Sequence, residues 1–349
     1  MNVTIGPTSG QPLFCPGDAF QVELVARLKD GTSCSSTDPT RGCMGQSSAV
    51  IDPADIRIEG NGGALQGPRE RFVWMPEWDP LKTADTGLTL RGWLEKVVDG
   101  RLQKSMVGER ELKPVYQCHM EGLFQGPPPP AASGQDGQPG PDLRIAVTTL
   151  STPYYPAAAL IRVETGTTRV YYISPSADQP VRIVSRGSNG MPGANGAGGT
   201  DGTNGEDAPA KAAACTKGGD ATDGGPGGPG ANGGSGGPGG VIRISFDANA
   251  ADKLRGRILT ASVGGEPGPG GPGGIGGFGG WGGKGGPTGP DCTDTQGKSG
   301  TNGDQGLAGA PGKPGPSGPD PIIETAPRES LFGTELAAIS RIEAAKAKR

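Results

Sequence analysis

Few side chains in this 349-residue chain can do chemistry, and their spacing limits what that chemistry is. Six cysteines stand at Cys15, Cys34, Cys43, Cys118, Cys215 and Cys292, with no C-x-x-C pair among them. Zinc ribbons and thioredoxin-like redox motifs need that pair. The even set reads instead as disulfides, which place the chain in an oxidising location. The one histidine, His119, adjoins Cys118. A thiol nucleophile needs its base within reach. Adjacent residues on a strand point to opposite faces, so Cys118 reads as structural and His119 as incidental. Gly297-Lys298-Ser299 ends like a phosphate loop, but Cys292 stands where that motif needs its first glycine. Asp201, Glu206, Asp207, Asp220 and Asp223 crowd one region. Calcium takes several oxygen ligands, yet no calcium-loop spacing fits, so they read as a solvated acidic loop. No catalytic, cofactor or metal residues are assigned, and the chain is expected not to be an enzyme.

One further set is spaced for contact. Ile275, Phe278 and Trp281 stand three residues apart. On an element with three residues per turn and about 3.1 Å rise they line one edge, about 9 Å apart. Such an edge is a binding ridge, or it packs against β segments or a neighbouring protomer.

The element that supplies this period is written in glycine. The chain holds 67 Gly and 35 Pro, and 46 of the glycines fall between Gly187 and Asp320. Gly recurs at every third position in four runs: Gly187–Gly205, Gly224–Gly239, Gly265–Gly289 and Gly297–Gly318. A period of three is neither helix nor strand; it is that of polyproline II. Such a segment has no internal hydrogen bonds, so its buried backbone groups must pair with neighbours. Strict phase argues against disorder. Collagen wants more proline, and it needs only one glycine per triplet. The second and third runs are largely Gly-Gly-X, which suits interior members of a bundle; the first and fourth suit outer ones.

If the runs reverse direction in turn, the links at 206–223 and 290–296 share one end. Cys215 and Cys292 then meet and form a disulfide that pins it. Cys15, Cys34, Cys43 and Cys118 pair within the first domain; of three connectivities, Cys34–Cys43 with Cys15–Cys118 is preferred. Overall, the chain reads as an all-β N-terminal part plus an antiparallel bundle of four polyglycine/polyproline II helices with a β cap, and little α-helix. Residues 1–125 form a β-sandwich-like domain, with a strand over 19–28. A hairpin spans 93–106 around Asp99-Gly100, where a helix is the rival reading. A Pro/Gly-rich linker covers 126–141. A β segment capping the bundle covers 142–186, with strands over 143–150, 158–164, 169–173 and 181–184. The bundle covers 187–320 with a β insert at 241–263, and a tail at 321–349 is helical or frayed.

The Gly-Gly-X runs resemble those of glycine-rich, collagen-like bacterial proteins. They are also similar to the polyglycine II sandwiches of phage tail-fibre adhesins. The disulfide-closed antiparallel arrangement is similar to the snow-flea antifreeze protein. The resemblance covers about 187–320 and implies a rod that presents loops and edges. Its implied partners are a surface, a glycan or protein receptor, or copies of the chain itself. Net charge is -4 with no basic stripe, so nucleic acid is not expected. No apolar run reaches membrane-spanning length. Met1–Gly10 lacks the pattern of a secretory signal. An extracellular, cell-surface or virion-surface location is therefore expected with the signal trimmed or another exit route. The expected role is a non-enzymatic structural or adhesive protein. A self-assembling filament or matrix subunit is the first alternative and an ice-binding protein the second.

Overall fold

The computed structural model describes residues 2–29, 31–37, 52–66 and 72–346. It is 33% strand and 9% helix. Among the described residues ten strands build the first part: β1 Asn2–Pro7, β2 Leu13–Phe14, β3 Phe20–Arg27, β4 Ser33–Ser35, β5 Ile56–Gly60, β6 Gly63–Gln66, β7 Val73–Pro76, β8 Leu88–Val98, β9 Arg101–Lys104 and β10 Gly108–Pro114. One sheet runs β1-β3-β7-β6 with β4 also on β3; the other runs β2-β10-β8-β5 with β9 also on β8. In β3 the period-2 alternation decides which face is inward. Val22, Leu24 and Ala26 are buried, and they pack with Ile5, Trp74, Leu88, Leu90 and Leu112 from both sheets. Residues 93–104 form a hairpin rather than a helix: Val98 pairs with Arg101. Asp99 (φ +50°) and Gly100 (φ +72°) both take the positive φ that the two-residue turn requires.

A second sandwich follows from β11 Glu121–Gln125, β12 Leu143–Leu150, β13 Ala158–Thr165, β14 Thr168–Ser174, β15 Val181–Arg186, β16 Ile242–Asp247, β17 Ile258–Val263 and β18 Ile322–Ala326. One layer is β11-β15-β17, all parallel. The other is β14-β13-β12-β16-β18, in which β12, β16 and β18 are parallel. Leu143, Ile161, Ile183, Ile242 and Phe246 fill the space between. β11 lies within the 1–125 span read as the first domain, but its hydrogen bonds go to β15.

The two layers share a common end. The last residues of the first trio are in register, Gln125 with Arg186 and Arg186 with Val263. Each of these strands leads into a glycine-rich segment, and each strand of the second trio emerges from one. Pairing does not stop at the boundary: Gly126 N–H donates to Arg186 O (2.8 Å), and Gly187 N–H to Val263 O (3.0 Å).

Beyond it, neither helix nor strand is assigned, yet every third N–H has a partner. The first run donates to the third, from Gly190 to Glu266 O through Gly205 to Trp281 O, so these two are parallel. The second donates to the first in the opposite sense, from Gly219 to Glu206 O through Gly237 to Ser188 O. The third donates antiparallel to the second, from Gly265 to Gly237 O through Gly286 to Thr216 O. The second donates parallel to the fourth, and the fourth antiparallel to the third. Along most of their length the second and third runs thus have three neighbours, and the first and fourth two. Glycine is needed because these lines lie so close. A Cβ on Gly274 would collide with Ala197 O, and one on Gly277 with Thr200 O.

The 126–141 stretch, read as a linker, joins this array. Gly134 donates to Pro192 O, Gly137 to Ser235 O and Gly140 to Pro238 O. Its segment is antiparallel to the first run and parallel to the second. At the far end Cys215 and Cys292 are disulfide-bonded, with Cα atoms 5.6 Å apart. Cys15 and Cys118 are bonded in the first sandwich. Cys34 is also in a disulfide; Cys43, the partner expected for it, lies outside the described residues.

Of the tail, residues 321–346 are described, and they carry a strand and two helices. After α1 (Ala251–Leu254), α2 (Arg328–Leu331) and α3 (Leu336–Lys346) close the fold. Phe332, Ile339 and Ile342 are buried with Leu81, Ala84 and Tyr116 of the first sandwich and with Leu160 and Ile173 of the second. Arg341 donates to Asp85 Oδ2 (2.8 Å) and Leu81 O (2.7 Å). Glu335 accepts from Tyr171 (2.7 Å), Arg169 (2.8 Å) and Arg162 (2.9 Å). The helix therefore fastens one sandwich to the other.

A methyl group tests the close approach. Gly274→Ala forces a Cβ onto a backbone oxygen, whereas at Gly198 a Cβ meets nothing nearer than Ile275 O at 3.8 Å. Gly274→Ala is expected to destabilise by roughly 1–3 kcal/mol and Gly198→Ala to be near neutral, read from thermal unfolding midpoints.

Candidate functional site

The third run offers its surface as a row. From Glu266 to Lys284 every third residue is exposed. In this run the glycines between those positions are buried or half-buried against the neighbouring lines. Ile275 is 74% exposed, Phe278 67% and Trp281 74%. The expected edge thus lies in the open, covered by neither sandwich.

Asparagines and two members of the acidic cluster, Asp201 and Asp207, hold the row. Asp201 Oδ1 accepts the Phe278 N–H (2.8 Å), Asn204 Oδ1 that of Trp281 (2.8 Å) and Asp207 Oδ1 that of Lys284 (2.7 Å). Asn189 Oδ1 does the same for Glu266 (2.9 Å). Pro269 and Pro272 have no N–H to offer. A second rank runs between the second and fourth runs: Asp220 to Lys298 (2.7 Å), Asp223 to Thr301 (2.6 Å) and Asn232 to Ala310 (2.9 Å). On the other flank Asn302 Oδ1 accepts from Gly279 (3.0 Å) and Ser299 Oγ from Gly282 (3.1 Å). Asp or Asn at the last position of a triplet therefore supplies the acceptor that a further neighbouring line would have given. The signal was in the sequence as the repeated third-position residues Asn189, Asp201, Asn204 and Asp207. It pairs residues 77 or 78 apart, which no local motif displays.

Elsewhere the chemistry-bearing residues are occupied structurally. Gln117–His119 is a single 3-10 turn, so the strand assumed for the Cys118–His119 pair is absent there. The Cys118 sulfur is bonded to Cys15. His119 packs on Trp78 with ring centroids 4.8 Å apart, and its Nε2 is 3.2 Å from Asp18 Oδ1. Lys298 and Ser299 belong to the backbone ladder just described. The tyrosines bind at the junction: Tyr154 donates to Glu111 (2.8 Å) and Tyr155 to Pro114 O (3.1 Å). Burial, then the bond to Glu335, pushes the Tyr171 hydroxyl up to about 12. Burial raises the Glu335 carboxyl, but the hydrogen bonds from Tyr171 and Thr334 and the charges of Arg162 and Arg169 outweigh it and leave it lowered. Among the described residues no helix is long and apolar enough to cross a membrane.

The chain matches no family model, and no curated protein or solved structure matches it.

The aspartate rank makes the array respond to acid. The backbone N–H of Lys298 holds the Asp220 carboxyl below its ordinary value, and that of Thr301, with the Thr301 hydroxyl, lowers Asp223. A carboxyl lowered in the folded state stabilises fully above its unfolded value, and the contribution fades as pH falls through the folded one. The melting midpoint is expected to drop below about pH 4. In Asp223→Asn, which keeps the acceptor oxygen, the drop should be smaller; thermal melts across that range read the difference.

Proposed function

We propose that residues 134–140 and the four phased runs form a polyglycine II bundle, and that the protein is a non-enzymatic structural and adhesive element. The bundle acts as a rigid spacer standing on the second sandwich and presents the Ile275–Phe278–Trp281 row along its side. The observation that carries this is the unbroken period of the backbone bonds: Gly190, Gly193, Gly196, Gly199, Gly202 and Gly205 each donate to a residue of the third run. Three residues per repeat, with all pairing external to the segment, is what polyglycine II requires. An extracellular or surface setting agrees with the Cys215–Cys292 and Cys15–Cys118 disulfides. The resemblance to collagen-like bacterial proteins and tail-fibre adhesins points the same way. Large aromatic side chains held open on a stiff backbone lose little freedom on contact, which favours adhesion.

Two measurements test the two halves. Amide exchange should be slow at the ladder glycines of 187–318, and exchange at the rate of an unstructured chain there rejects the bundle. Adhesion to cells or glycan-coated surfaces should fall at least about tenfold in Trp281→Ser, the scale of losing an aromatic anchor, with the melting midpoint unchanged. Equal adhesion by Trp281→Ser and the parent rejects the adhesive role.

A further inference from the structure

The exposed row of the third run is longer than its aromatic part. Every third residue from Glu266 to Lys284 is exposed. Eighteen residues at about 3.1 Å each make a strip about 56 Å long. Such a strip needs to be only about 15 Å wide to reach the ~800 Å² per partner of a standard interface. We propose that in solution, where no surface competes for the row, its partner is a second copy of the same strip, laid antiparallel about a two-fold axis at Ile275. This rests on the polyglycine II reading, since only three residues per turn keeps the row straight.

The order of the residues carries the proposal. With the axis at Ile275, Glu266 meets Lys284 of the partner copy, Pro269 meets Trp281, Pro272 meets Phe278, and Ile275 meets itself. Opposite charges close both ends, each aromatic ring lies on a proline, and the centre is aliphatic. A two-fold contact must be self-complementary, and the row is so in this one register. Shifting the axis by one triplet to Phe278 sets Lys284 against Pro272 and Ile275 against Trp281, and leaves both charges unpaired. Glu266 already accepts Arg186 at 2.7 Å, so the rim pairs set register while the central side chains supply affinity.

The flanking first run obeys the same axis, which is an independent observation. Its third-position residues stand beside the row, offset by 77, so Gly198 lies beside Ile275. Here the Asp/Asn/Pro series is broken by a glycine that packing does not demand, since a Cβ would have room. Gly198 leaves a notch on the axis, where two Ile275 side chains must fit. About Gly198, Asp201 faces Asn195 of the partner copy and Asp207 faces Asn189, so no carboxylate meets another.

The test uses the full chain in sedimentation equilibrium over a concentration series. The parent is expected to dimerise and Phe278→Ser to weaken the dimer at least about tenfold. Gly198→Asn should also weaken it, while keeping or raising the melting midpoint, because the new acceptor reaches the Ile275 N–H. Ile275→Cys should cross-link to a covalent dimer under mild oxidation and Phe278→Cys should not. A parent that stays monomeric, or cross-linking by Phe278→Cys as ready as by Ile275→Cys, overturns the proposal. Amide exchange on the same samples separates the two ideas: a monomer with slow exchange across 187–318 rejects the dimer alone, and fast exchange rejects the bundle beneath it.

Discussion

An extended segment with no internal hydrogen bonds cannot be buried unless something else accepts and donates for it. That constraint organises the whole C-terminal two-thirds of this protein. Each glycine line satisfies its N–H groups on its neighbours, and the bonds form only at a separation where a single Cβ would strike a carbonyl oxygen, as at Gly274 and Gly277. Glycine is therefore present for the space it leaves. Its backbone entropy cost is high, and the many in-register bonds, with the one cross-link at the far end, are what offset it. The Cys215–Cys292 disulfide closes a 77-residue separation, worth about 4.5 kcal/mol in the chain-entropy model.

Lines without side chains at their contacts have no interlocking shapes to set their register, and a slip by one triplet would keep every glycine in place. The second sandwich removes that freedom. Its two parallel trios end in register, so every line starts from a fixed height. The hydrogen bonds Gly126 to Arg186 and Gly187 to Val263 carry the sheet pairing straight into the glycine region. The apolar cores anchor that base: Ile161, Ile183 and Ile242 are fully buried between the layers, and Phe332 ties them to the first sandwich. Order flows from a conventional core, through strand register, into a region that has no core of its own.

What could be read beforehand follows from this division. Strand composition located 143–150 and 181–184, where side chains alternate between a filled core and its outside. Glycine phase located the four runs, because close approach leaves a period in the sequence. The segment 134–140 escaped because only Gly134, Gly137 and Gly140 carry the phase, inside a stretch whose prolines read as linker. β11 escaped because its partner, β15, is about 60 residues away and nothing local says which sandwich it joins. The Ile322–Ala326 strand escaped because its residues are mostly exposed and show no alternation. In the candidate site, the exposed row was visible from its spacing. The aspartates that hold it were not, since their role exists only once the first and third runs are aligned.

That role also explains why this array can end where it does. A lattice of such lines has unpaired N–H groups on every outer face, and adding more lines only moves the edge outward. Along the third run the edge is closed by chemistry instead, save at Ile275 beside Gly198: Asp or Asn reaches the N–H that another line would have served, and proline removes the N–H altogether at Pro269 and Pro272. β-sheet edges are protected from uncontrolled growth by comparable means. Closing the backbone edge leaves only side chains to present to the outside. Contacts made by the Ile275–Phe278–Trp281 face are then decided by which residues stand in that row, and not by the repeat that all the lines share.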